Sequence, residues 1–191
     1  AAAALAGLTT PAALRAQGHR VIRLGTLDHA DLSRETFRKA MMERGWEFGR
    51  NLILEQRWAG GDPSRFPALA RELVAARVDV ILAISDQAAE AAAQAKRSIP
   101  VVMMGLAPVE LGLAKTLARP GGNVTGVVYL AHEYAGKQLD LLRAIRPGLR
   151  RVGIVDRSTR LDRIWHQGWK DATQRSGVTL VTLPWPATPA D

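Results

Sequence analysis

The sequence predicts an α/β protein built on a doubly wound parallel sheet. Short apolar runs alternate with amphipathic helical patterns along most of the chain, the signature of βαβ units. The run Val78–Ser85 is almost continuously apolar rather than alternating, as in a strand covered by helices on both faces. Pro100 and glycines at 105, 121, 122 and 126 are read as punctuation, marking strand entry and turns.

The elements follow in order. A first strand is expected at Val21–Leu27. Asp31 then caps a helix in which Phe37, Ala40 and Met41 share a face and Gly45 stops it. The second strand, Leu52–Trp58, leads to Asp62-Pro63, a cap followed by proline at the first helical position. Phe66, Leu69, Ala70, Leu73 and Val74 give that helix its apolar stripe. The third strand is followed by an alanine-rich helix with Asp86 as its expected cap. Val101–Gly105 and Val124–Leu130 complete a sheet whose expected order is 2-1-3-4-5.

The rhythm then restarts. Tyr134–Ile145 reads as a helix broken by Pro147-Gly148, Arg151–Asp156 as a strand, Leu161–Ser176 as a helix and Thr179–Leu183 as a strand. Trp165 and Trp169 form an i, i+4 pair, read as a core or docking stripe. So few elements cannot bury a sheet on both faces. The expected organisation is a complete first lobe at residues 19–130 and the opening of a second, truncated lobe at 131–191.

Composition narrows the function. With 191 residues the chain can bury one full core, or one core and part of another. It contains no cysteine, which excludes disulfides, thiolate metal sites and thiol nucleophiles. The net charge of +8 is scattered along the chain. Its densest cluster, Arg143, Arg146, Arg150 and Arg151, is interrupted by Pro147-Gly148, and no nucleic-acid-binding motif accompanies it, so no nucleic acid partner is expected. No run of 18 apolar residues spans a membrane. Residues 1–16 are small and aperiodic. They are expected to be the remnant of a secretory signal peptide cleaved after Ala16, which would place the protein in the periplasm.

Right-handed crossovers bring the C-terminal ends of parallel strands to one edge, where ligands bind. This nominates Asp28 and His29, Ser85, Asp86 and Gln87, the segment from Leu106 to Pro108, and Tyr129. Helix N-termini there favour an anion, and Asp28 or Asp86 suits an ammonium. The expected ligand is therefore small, amino-acid-like and carboxylate-bearing. Each residue also has a plainer reading: Asp86 as a helix cap, Asp28 as a cap of the following turn, His29 as a partly exposed loop histidine. GxSxG, HExxH, GxxxxGK[ST] and GxGxxG are all absent, so neither catalysis nor a cofactor or metal is expected.

The order of segments resembles one known family. Gly49-Arg50-Asn51-Leu52, then Glu55-Gln56-Arg57-Trp58-Ala59-Gly60-Gly61, is similar to its "GRNL…E.RWAEG" stretch. Leu69–Val74 with Val78–Ile81, then Ile99–Val102, match its next blocks. The long block Leu117-Ala118-Arg119-Pro120-Gly121-Gly122-Asn123-Val124-Thr125-Gly126 is the most specific. The family is the ABC-transporter substrate-binding proteins related to the tryptophan/tyrosine-binding component, and the resemblance covers residues 20 to 183. It implies a type I periplasmic-binding fold in which two lobes close on a small ligand, with ABC permease subunits as membrane partners. Two segments depart from it. Ala107-Pro108-Val109 stands where the family has Asp-Pro-Val, and Leu27-Asp28-His29-Ala30 lacks the usual Ser/Pro-rich character. Two alternatives remain from the residues themselves: a ligand-sensing domain of a regulator or kinase, and a flavodoxin-like α/β enzyme.

Overall fold

A computed structural model describes residues 21–29, 35–129, 131–156 and 160–185. The expected signal remnant and the Asp31 cap lie outside these residues. The described chain runs β1 (Ile22–Asp28), α1 (Glu35–Met42), β2 (Leu52–Trp58), α2 (Phe66–Ala75), β3 (Val80–Ile84), α3 (Asp86–Ala95), β4 (Val101–Gly105) and β5 (Val124–Val128). It continues with α4 (Ala131–Ile145), β6 (Arg151–Asp156), α5 (Arg160–Ser176) and β7 (Thr179–Pro184). The first five strands form one parallel sheet in the order β2-β1-β3-β4-β5, as the sequence predicts. β6 and β7 pair in parallel as a separate sheet.

The core of the larger sheet follows from the helical stripes. Phe66, Leu69, Ala70 and Leu73 of α2 are buried, as are Ala88, Ala89, Ala91 and Ala92 of α3. They share one cluster with Leu27, Ile81, Ala83, Val101, Met103 and Val124. Alanines on α3 bring that helix close to the sheet. Each large side chain buried here contributes about 1.5–3 kcal/mol. The smaller sheet has its own cluster of Ala135, Leu139, Ile154, Trp169, Ala172 and Val178.

Several expectations are corrected. β3 is apolar on both faces but covered more fully on one: Ile81 and Ala83 are buried, while Val80, Leu82 and Ile84 are only partly so. α2 and α3 pack side by side against the buried face, and α1 buries no residue. β3 also begins two residues late. Arg77 takes a left-handed φ of 55° and the Val78 N–H still bonds the Leu73 carbonyl, so these residues finish α2. Asp62 caps as expected, accepting the Ser64 N–H at 3.0 Å, but it caps a single 3₁₀ turn, Pro63–Arg65, that leads into α2. Hydrogen bonds from Ser64 hold its carboxyl below the ordinary aspartate range.

Gly126 lies inside β5 rather than at a turn. Its φ is 152°, and a Cβ there would overlap the Met103 main-chain carbonyl of β4. The last glycine of the Leu117–Gly126 block is therefore required by the close approach of two neighbouring strands.

Candidate functional site

A cleft of about 980 Å³ opens at the C-terminal ends of the strands. From the larger sheet it takes His29 after β1, Gly61 and Pro63 after β2, Ser85 to Gln87 after β3, Met104 to Leu106 at the end of β4, and Tyr129 after β5. From the smaller sheet it takes Val155 at the end of β6, Asp162 and Trp165 on α5, and Trp185 after β7. Each strand end thus feeds the same hollow, whose volume is that of a small-molecule site.

Main-chain bonds place the aromatic residues. The Tyr129 N–H donates to the Gly105 carbonyl at 2.8 Å, and the Trp185 N–H to the Asp156 carbonyl at 2.7 Å. Each aromatic is thereby held one residue beyond its strand by the neighbouring strand. His29 meets Phe66 edge-on, with ring centroids 4.9 Å apart. The first turn of α2 therefore positions the imidazole at the rim.

Asp86 does not cap α3. Ser85 does: its Oγ accepts the Ala88 N–H at 3.2 Å. Asp86 is the first residue of the helix and is 3% exposed. Its Oδ1 accepts the Leu106 and Ala107 N–H groups, each at 3.0 Å, and its Oδ2 accepts the Leu106 N–H at 2.9 Å. The physical reason is reach. The residue just before the first helical turn faces the free helix N–H groups, whereas the next side chain points across to the loop after β4.

The sequence-nominated residues divide accordingly. His29, Ser85, Asp86, Gln87 and Tyr129 all border the cleft. Asp28 is buried at 8% exposure and its Oδ1 accepts the neighbouring His29 N–H at 2.6 Å; it lies behind the rim rather than among the cleft residues. Pro108 is buried and faces a different, smaller hollow between Met103, Leu117 and Val128. Sequence reasoning missed Met104, Val155, Asp162 and Trp185. The strand-end rule that nominated Tyr129 also points to Val155 and Trp185 once β6 and β7 are recognised. Both tryptophans serve the smaller core: Trp169 is buried in it at 6% exposure, and Trp165 packs against it while also forming part of the cleft wall. His166, next to Trp165, is buried with Nδ1 3.6 Å from Asp156 Oδ2.

Comparison with known proteins gives a consistent result. A family model described as "ABC transporter substrate binding protein" matches residues 21–188. A tyrosine-binding protein of Clostridioides difficile (strain R20291) is 34% identical over 127 residues, which is 65% of this chain and 36% of that protein. A conserved domain protein from Vibrio cholerae superposes with a TM-score of 0.80 at 24% identity, over 87% of this chain and 58% of that one. An ABC domain in complex with L-Trp from Streptococcus pneumonia gives a TM-score of 0.76 at 24% identity, with the same two coverages. The chain thus spans a little over a third of the curated relative and somewhat more than half of each structure. The fold is that of the type I periplasmic binding proteins.

Proposed function

Since the chain belongs to the family of ABC transporter substrate-binding proteins, we propose that it serves as the extracytoplasmic solute-binding component of an importer. In this reading residues 19–130 and 131–191 contribute to two lobes that hold a small amino-acid-like ligand between them. The chain delivers that ligand to permease subunits in the membrane and leaves it chemically unchanged. Export to the periplasm by the leader at residues 1–16 belongs to the same reading.

One observation carries it: the 980 Å³ cleft draws residues from the C-terminal ends of both parallel sheets. A relative named for tyrosine and a structural neighbour holding L-Trp support an amino acid as ligand. His29, Ser85, Gln87 and Tyr129 on one side, and Asp162, Trp165 and Trp185 on the other, are the proposed contacts. The aromatic side chains suit an apolar ligand body, and the polar ones fix its orientation.

Thermal-shift screening of the twenty amino acids, sugars and nucleosides tests the reading. A ligand at 100 times its dissociation constant adds about 2.7 kcal/mol of stability. The expected hits are amino acids. A rise in midpoint with sugars or nucleosides alone would overturn the assignment.

A further inference from the structure

We propose that the wall built by the five-stranded sheet receives the ammonium end of the ligand rather than its carboxylate, and that Asp86 sets this polarity. The inference rests on the amino-acid reading of the cleft and specifies its chemistry.

Loop N–H groups and a helix N-terminus at a strand-end rim ordinarily favour an anion. Here the protein's own side chains fill three of those positions. The Leu106 and Ala107 N–H groups both donate to the Asp86 carboxylate, at 2.9–3.0 Å. The Ala88 N–H at the start of α3 donates to Ser85 Oγ. A ligand carboxylate would have to displace Asp86, which is only 3% exposed, or share these donors with it.

Charge points the same way. The chain carries a net charge of +8, yet among the described residues bordering the cleft there is no lysine or arginine. Asp86 borders it, and its hydrogen-bond partners are neutral main-chain groups. Among the described residues no lysine, arginine or histidine is within ion-pair distance of it. Three accepted bonds leave lone-pair capacity on the carboxylate, mainly at Oδ2, for a further donor. A cationic donor there gains a charge-assisted hydrogen bond, while an anion meets like charge.

The decisive experiment compares matched sets on the 191-residue chain. L-tryptophan, tryptamine and indole-3-propionate form one set. L-tyrosine, tyramine and 3-(4-hydroxyphenyl)propionate form a second, and L-leucine, 3-methylbutylamine and 4-methylpentanoate a third. Calorimetry or ligand-observed NMR gives the order of affinities. In every set that binds, the amine is expected to bind at least about 30-fold more tightly than the acid, the worth of one charge-assisted hydrogen bond. An acid that equals or exceeds its amine overturns the proposal while leaving the amino-acid reading intact. Failure of all nine compounds, with no other amino acid raising the melting midpoint, overturns that reading, and this one with it. Asp86→Asn should shrink the gap between amine and acid. A folded variant with the gap unchanged removes Asp86 from the role. If the variant does not fold, Asp162→Asn on the opposite wall decides: the gap should persist, and its loss there overturns the proposal.

Discussion

Gly105 lies directly against Asp86: a Cβ built on Gly105 would stand 2.8 Å from Asp86 Oδ1 and would also overlap the Met103 methyl group. Met103 is flexible and can yield, but Asp86 is fixed by two main-chain donors. Gly105→Ala is therefore expected to lower stability by about 1–3 kcal/mol, the usual cost of overpacking. Chemical denaturation measures this. A variant as stable as the parent would show that the Asp86 carboxylate moves freely.

The reassignment of the α3 cap orders two further variants. Ser85→Ala removes one capping bond and is expected to cost about 1 kcal/mol. Asp86→Ala strands two main-chain donors, one of them in the buried residue Ala107, and is expected to cost about 2–4 kcal/mol. Paired melts check the ranking. A larger loss from Ser85→Ala than from Asp86→Ala would show that the bonds from Asp86 to the Leu106–Ala107 loop contribute less than the cap.

At Gly126 the obstacle is backbone rather than side chain, because the Met103 carbonyl of β4 occupies the place of a Cβ. Gly126→Ala combines that overlap with an unfavourable φ of 152°. A loss of about 2–4 kcal/mol is expected in urea titration. Gly112, at φ 73° with nothing nearby, serves as the control; Gly112→Ala should cost about 1 kcal/mol.

The two tryptophans of α5 should separate stability from binding. Trp169→Ala empties part of the smaller core and is expected to cost about 3–5 kcal/mol. Trp165 is half-buried between the cleft and the smaller core, so Trp165→Phe should cost only about 1 kcal/mol while weakening the binding of an amino acid hit by about tenfold. Equal effects of both substitutions on binding and on melting would argue that α5 acts only as structure.

Periodicity made the element order and the strand order of the larger sheet legible, because hydrophobic runs and helical stripes report burial directly. It overstated the cover on β3, since an apolar run shows what a strand tolerates, not which helices reach it. Ser85 and Asp86 show a second kind of gap. Both residue types favour helix starts, and only the position of the Leu106–Ala107 loop decides which one caps. The rim of the larger sheet was readable from strand ends. Trp165 was not, because the i, i+4 spacing with Trp169 places both near one helix face without telling core from cleft. Ala107-Pro108-Val109 drew attention as a lost polar residue. In the structure the Ala107 N–H holds a carboxylate supplied from α3.

The central claim is that one ligand touches both sheets in a single cleft. The direct test is a ¹⁵N-correlated NMR titration of the chain with the best amino acid from the thermal screen. Shift changes are expected at Ser85, Gln87, Leu106 and Tyr129 together with Val155, Asp162 and the indole N–H of Trp165. Changes confined to one sheet, or centred on the separate hollow lined by Arg97, Leu113 and Asn123, would contradict the account.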